Sequence, residues 1–444
     1  SEPDLELFWN YLDQAVITDG ILRLAKGFFL GVESYGSELL VRACYKDFWE
    51  YLQSAKRGLL ITGNPGIGKT WFAFLVLYLA KVAGNNVVTQ NIPKVDSGEK
   101  KYRLFTKEGV RRGNGIDFEE YLRDPKTLYL IDGQPVGYPV ANARSLMVSS
   151  PQKERYKEFS RSPGVETRYM PRWSWPEIYH ALVSGPYRTF SKDQVRLVKE
   201  LVERFGGVPR DVLQDITTKS VSKAEAELKE AAAKLKFQDV VAGDVEAVEA
   251  ISRKLLHIDC VKPFTIVEKR IDFASDHVAS LLIEQQDERE SEELTKFLQG
   301  TDSARSAWRG RWFEHQAHRR LKNGGTFNIR RLDTGETGTL QLLPSRGAIF
   351  YDLEQLLSAK KTAGYLRPFS QSFCAIDALM PSKNILLQMT IRRQHPIRSW
   401  GVQRCLPHLT DPKSAIFVFV VPPRRFATFK QQLFINKSRN KKRK

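Results

Sequence analysis

Apolar residues recur at helical spacing over residues 8–24 and 39–52, so the chain reads as opening on a helical lead-in that covers 1–55. The next apolar run, Gly58–Thr62, is too short for a helix and predicts a buried strand. A glycine-rich turn follows, and apolar positions then continue through a helix over 70–82. Short apolar segments at 87–91, 128–132, 146–149 and 165–169 alternate with helical stretches at 118–123 and 152–159. That alternation predicts an α/β domain over 56–205, a parallel sheet with helices on both faces, closed by helices at 177–183 and 194–205.

Beyond 205 the pattern weakens. Residues 222–236 are rich in Ala, Lys and Glu with little apolar moment, and 285–293 are similarly charged, so 206–300 reads as a helical connector or lid. A helix at 304–321 followed by strands and turns defines a further α/β domain over 301–436, and a basic tail occupies 437–444.

The turn after the first strand carries the sharpest chemistry. Gly63, Asn64, Pro65, Gly66, Ile67, Gly68, Lys69 and Thr70 fit the phosphate-binding pattern G-x-x-x-x-G-K-[ST], placed between strand and helix as the pattern requires. Glycines let backbone N–H groups converge on phosphate oxygens, and the helix N-terminus adds partial positive charge. Lys69 is the group that reaches the terminal phosphates of ATP or GTP, and Thr70 is a ligand for Mg²⁺. The acid expected to share that ion ends a later strand, and Asp132 does so. Gly133 follows it, so a glutamate adjacent to the acid, able to polarise water, is missing. Ser149 and Ser150 are candidates to sense the terminal phosphate, and Arg210, starting a helix after a Gly-Gly-Val-Pro turn, is a candidate to reach nucleotide. Arg144, Arg155 and Arg172 are candidates for an arginine supplied to a neighbouring copy in a homo-oligomer.

Composition adds a partner. The formal net charge of the 444 residues is +18, with a pI near 9.6, which favours nucleic acid above all, with DNA the expected form. Six of the last eight residues are Lys or Arg, and the rest of the surplus reads as spread over the chain. That tail is a candidate nuclear import signal or DNA-attracting arm. Four cysteines without close spacing exclude a zinc ribbon or redox dithiol, and the longest apolar run is too short to span a bilayer, so a membrane partner is not expected.

Three segments, Val41-Arg42-Ala43-Cys44-Tyr45, the loop at 63–70 and Phe205-Gly206-Gly207-Val208-Pro209-Arg210, resemble the Crinkler effectors of oomycetes and fungi and the related retrotransposon hot spot proteins of trypanosomes. The C-terminal motifs extend the likeness: Trp312-Phe313-Glu314, Gly324-Gly325-Thr326-Phe327, Cys374-Ala375-Ile376-Asp377-Ala378, Gln388-Met389-Thr390 and His395-Pro396-Ile397. The resemblance implies an NTPase joined to a restriction-endonuclease-like domain, acting as a secreted, cell-death-inducing effector in a host nucleus.

Glu314 on a helix, Asp377 on a strand, and Gln388 and Thr390 on the next strand match the order of a PD-(D/E)xK nuclease, with Glu314, Asp377 and Gln388 as metal ligands. Gln388 stands where that pattern has a carboxylate, and Thr390 where it has lysine; Arg392, Arg393 or His395 are candidates for the missing positive charge. His315 and His318 read as a solvated helix face rather than a zinc pair. Two functions therefore stand side by side: metal-dependent DNA cleavage gated by NTP hydrolysis, or a nucleotide-switched protein that grips DNA or chromatin without cutting.

Overall fold

The computed structural model describes residues 3–55, 57–92, 102–133, 142–214, 221–234, 254–260, 269–288, 306–345, 347–350, 364–368 and 375–435; at 269–270, 283–288, 306–308 and 349 only the backbone is described. The chain divides into two compact units, 1–235 with 244–275, and 236–243 with 276–444.

In the first unit, α1 (Pro3–Tyr11) leads into three short antiparallel strands, β1 (Val16–Thr18), β2 (Ile21–Arg23) and β3 (Glu38–Leu40), then α2 (Ala43–Ser54). The central sheet follows: β4 (Gly58–Thr62), α3 (Lys69–Val82), β5 (Val87–Gln90), β6 (Tyr102–Thr106), β7 (Gly109–Gly113), α4 (Glu119–Arg123), β8 (Leu128–Asp132), β9 (Arg144–Ser149), α5 (Lys153–Arg161) and β10 (Val165–Tyr169). Its strand order is β10-β4-β9-β8-β5-β6-β7. The first five strands in that order are parallel, and β6 and β7 extend the sheet antiparallel. β9 thus lies between the strand that feeds the glycine loop and the strand that ends at Asp132. Helices α6 (Trp175–Val183), α7 (Lys192–Phe205), α8 (Pro209–Val212) and α9 (Val221–Lys234) follow, then an antiparallel pair, β11 (Leu256–Cys260) and β12 (Lys269–Phe273).

The lead-in differs from its expected form. Residues 16–40 contribute strands, and apolar side chains read as helix-periodic join the core of the sheet: Phe8, Trp9, Leu22 and Phe48 are buried in one cluster with Leu59, Ile61, Phe72 and Phe74. Residues 3–55 therefore share a core with the loop-bearing sheet. The connector expected to be helical over 206–300 holds the β11–β12 pair, because Leu256, Ile258, Cys260 and Phe273 bury side chains against the first unit.

In the second unit a helix, Ser306–Asn323, precedes a hairpin of β13 (Gly325–Arg330) and β14 (Thr337–Leu342). A mixed five-stranded sheet is ordered β15 (Gly347–Phe350), β16 (Tyr365–Pro368), β17 (Ala378–Met380), β18 (Ile385–Met389) and β20 (Ile416–Val420). Its two faces are distinct. Ile385, Leu387 and Met389 pack with Ala317 and Leu321 of the Ser306–Asn323 helix, whereas Leu386 packs with Cys405 and Leu409. A short parallel ribbon joins β19 (Ile397–Arg398) to β21 (Phe434–Ile435). Cys374 and the 437–444 tail lie outside the described residues.

Candidate functional site

The glycine loop is built as its sequence dictates. Gly63, Gly66 and Gly68 all have positive φ (148°, 79° and 103°), a region that L side chains rarely adopt. At Gly68 a Cβ would also lie 2.8 Å from the Tyr45 hydroxyl, which donates to the Gly68 carbonyl at 2.8 Å. Trp173 Nε1 donates to the Ile67 carbonyl at 2.9 Å, and the Ile67 side chain is fully buried in the core. These two outside bonds hold the carbonyls of Ile67 and Gly68.

Lys69 Nζ donates to the carbonyls of Gly63 and Asn64, each at 2.7 Å. Its side chain is buried rather than exposed, because it curls back under the loop. Thr70 Oγ1 donates to Asp132 Oδ2 at 2.7 Å, so the two expected magnesium ligands, 62 residues apart in sequence, touch. Asn91, left-handed at φ 61°, donates to the Asp132 carbonyl at 2.8 Å and fixes the end of β8. Tyr35 also sits within reach of that carboxylate; burial, then the Asp132 charge, pushes its phenol up.

The residues fit a nucleotide with Mg²⁺. Thr62 and Ser149 are paired across β4 and β9, and the hydroxyls of Thr62, Ser149 and Ser150 are buried without a hydrogen-bond partner at the strand ends beside the loop. Buried hydroxyls of this kind call for an acceptor or a water. Arg210 lies along the loop: a Cβ on Gly66 would fall 2.5 Å from Arg210 Cβ and 3.1 Å from its Nε. Gly206 and Gly207 make that placement possible, since a Cβ there would meet the carbonyls of Ala274 at 2.2 Å and Trp173 at 2.0 Å.

Several expected roles change. The Asn64 side chain turns away from the loop interior and pairs twice with the Ile258 backbone of β11, at 2.7 Å in each direction. Arg172 is bound to Asp259 at 3.0 Å and to the carbonyls of Phe273 and Ala274, so it serves this chain's own β11–β12 pair. Arg144 begins β9, at the end of the strand opposite Ser149, and donates to Gln53. Arg155 does stand near the site, 3.4 Å from the Gly133 carbonyl. The Val41–Tyr45 motif braces the loop from behind: buried Arg42 pairs with Glu177 at 2.8 Å and reaches the carbonyls of Pro171 and Arg172. Burial pushes the Cys44 thiol up to about 11, which leaves it inert as a nucleophile at neutral pH.

In the second unit the four candidates separate into two pairs. Asp377 is partly buried and accepts from the Met389 N–H at 2.6 Å; desolvation, then the neighbouring Glu314 charge, pushes its carboxyl up to about 7. Glu314 is bound to Arg311 at 3.0 Å. Gln388 and Thr390 alternate with Leu387 and Met389, so they belong to the Leu386 face, away from the helix that carries Glu314. Gln388 Nε2 lies 2.8 Å from His395 Nε2, its Oε1 has no hydrogen-bond partner, and Thr390 Oγ1 accepts from the Arg392 N–H. His315 and His318 are buried, not solvated: His315 faces Asp276 at 3.4 Å and His318 Nδ1 lies 2.6 Å from the Tyr365 hydroxyl. No cluster of three or more His, Cys, Asp or Glu suited to a metal occurs among the described residues.

The chain is similar to two Crinkler effector proteins. Crinkler effector proteins 16 and 15 of Phytophthora infestans are each 25% identical, over 83% of this chain. The chain spans about 60% of the length of these curated relatives (59% and 60%). No family profile matches. Among solved structures, AMPPCP-bound DnaA from Aquifex aeolicus is 12% identical, covering 66% of this chain and 96% of its own, at a TM-score of 0.24, too low to indicate a shared fold. No helix among the described residues is long and apolar enough to cross a membrane.

Proposed function

We propose that the first unit binds and hydrolyses a nucleoside triphosphate with Mg²⁺, and that nucleotide state switches a nucleic-acid-binding second unit. The Thr70–Asp132 hydrogen bond carries this reading, because it joins a magnesium-type hydroxyl to a carboxylate at the mouth of a glycine loop. Thr70 and Asp132 would hold the ion, which supplies charge neutralisation between the phosphates when bound. Lys69 and Arg210 add fixed positive charge, and Thr62, Ser149 and Ser150 offer hydroxyls to the terminal phosphate or its attacking water. Asp132→Asn should keep the fold and lose most magnesium-dependent phosphate release from ATP or GTP. Turnover equal to wild type in that variant would remove Asp132 from the site.

For the second unit, the division of the four candidates favours gripping over cutting. Metal-dependent cleavage stands as a second reading on one observation, the neighbouring Glu314 charge that helps push the Asp377 carboxyl up, since neighbouring carboxyls suit a divalent cation. By similarity to the Crinkler effectors, we also propose that the protein acts as an effector in a host nucleus. Plasmid incubated with the protein, ATP and Mg²⁺ or Mn²⁺ separates the two readings: cleavage that Asp377→Ala abolishes would establish the second.

A further inference from the structure

The positive surplus is concentrated, not spread. Residues 385–444 hold 14 Lys or Arg against one acid, Asp411, which is +13 of the chain's +18. Eight of those cations fall in the described part, 385–435, and six of the eight are arginine.

Three of them, Arg392, Arg393 and Arg398, lie in or just before the β19–β21 ribbon. Ile397 and Arg398 pair with Phe434 and Ile435, and the Ile397 N–H donates to Leu433 at 2.8 Å. Gln432 ties the preceding loop to the same ribbon, accepting from the His395 N–H at 2.6 Å and donating to the Arg393 carbonyl at 3.2 Å. Arg392, Arg393 and Arg398 are exposed, and none has a carboxylate partner among the described residues. His395, half-buried between them, is held below its ordinary value by burial and then by the charges of Arg392 and Arg398. Phe434, 65% exposed, pairs with Ile397 and so stands on the face of the narrow ribbon opposite to Arg398. Exposed guanidiniums with no described carboxylate partner, on the same ribbon as an exposed ring, suit a polyanion with stackable groups. A ribbon flanked by arginines lacks the single apolar helical face by which proteins lie on membranes.

We infer that this ribbon is a nucleic-acid-binding surface: Arg392, Arg393 and Arg398 track phosphates, and Phe434 stacks an unpaired base. The inference rests on the nucleic-acid partner proposed above and locates it. It also gives Gln388 a role as a positioning residue, holding His395 beneath the arginines.

The test measures binding of fluorescent single-stranded and duplex oligonucleotides across a salt series. It uses the full chain, the triple variant Arg392→Gln/Arg393→Gln/Arg398→Gln, and Phe434→Ala, with melting curves confirming the fold. The triple variant should lower the slope of log affinity against log salt by about three, about one per lost phosphate contact. Phe434→Ala should weaken single-strand binding by about tenfold and leave the slope unchanged. Wild-type affinity and slope in the triple variant would overturn the surface while leaving the partner in place. Absence of oligonucleotide binding by wild type, with or without capture by vesicles of anionic lipid, would overturn both.

Discussion

The glycine loop and the carboxyl–amide cluster contrast in how their residues meet. The loop's eight residues are contiguous in sequence and so are neighbours in space by necessity, and the long-range bond from Thr70 to Asp132 adds the expected acid. In the second unit Glu314 comes from a helix, Asp377 from just before β17, and Gln388 and Thr390 from the end of β18 and the residue after it, and strand alternation sends the last two to the other face. A contiguous motif fixes its own geometry through φ and turn chemistry. A dispersed one depends on register, where a shift of one residue changes the face of every side chain.

The largest effect that sharpens this contrast comes from Lys69→Ala. Hydrolysis should fall about 100-fold or more, the scale of losing one charge-stabilising donor at a developing anion. Stability should drop by about 2 kcal/mol, because the carbonyls of Gly63 and Asn64 lose a charged donor. Phosphate release and chemical denaturation read the two quantities, and an unchanged rate would erase the distinction between the sites.

A smaller effect is expected at Gln388→Glu. With its side chain against His395, the new carboxylate should raise the imidazole pKa by about one unit or more, measurable by NMR titration, and leave any divalent-cation requirement unchanged. If instead the variant needs less Mg²⁺ to cut nucleic acid, Gln388 is a metal ligand and the two-face division is wrong.

The smallest effect concerns pH. Asp377 in the folded chain holds its proton up to about 7, while an unfolded aspartate releases it near 3.8. The folded state therefore binds more protons between those values, and this group makes the second unit less stable as pH rises through them. Asp377→Asn should flatten that decline in denaturation experiments at pH 5 and pH 8. An equal decline in the variant would show that the carboxyl is not held in its neutral form.

Much of the first unit was legible in sequence because its signals are local. The strand–loop–helix order, Asp132 at a strand end, and helices near 177–183 and 194–205 all depend on runs of a few residues. What escaped was tertiary. The three-strand lead-in hid behind apolar spacing that suits either period, as at Ile21 and Leu22, both buried in β2. Asn64 bonding Ile258 and Arg172 bonding Asp259 join residues 194 and 87 apart, and no spacing rule links them. His315 and His318 looked solvated because nothing nearby in sequence announces the Asp276 and Tyr365 partners that allow their burial. The charge of 385–444 was countable, yet only the β19–β21 pairing shows that Arg398 stands on a ribbon.

The central claim, that the loop holds a nucleotide through Lys69 with magnesium at Thr70 and Asp132, is tested most directly by calorimetric titration of a non-hydrolysable ATP analogue. Wild type and Lys69→Ala are compared with and without Mg²⁺. Saturable binding by wild type that Mg²⁺ tightens, and that Lys69→Ala weakens by about 100-fold, is the predicted result. No binding by wild type, or equal binding by Lys69→Ala, would contradict it.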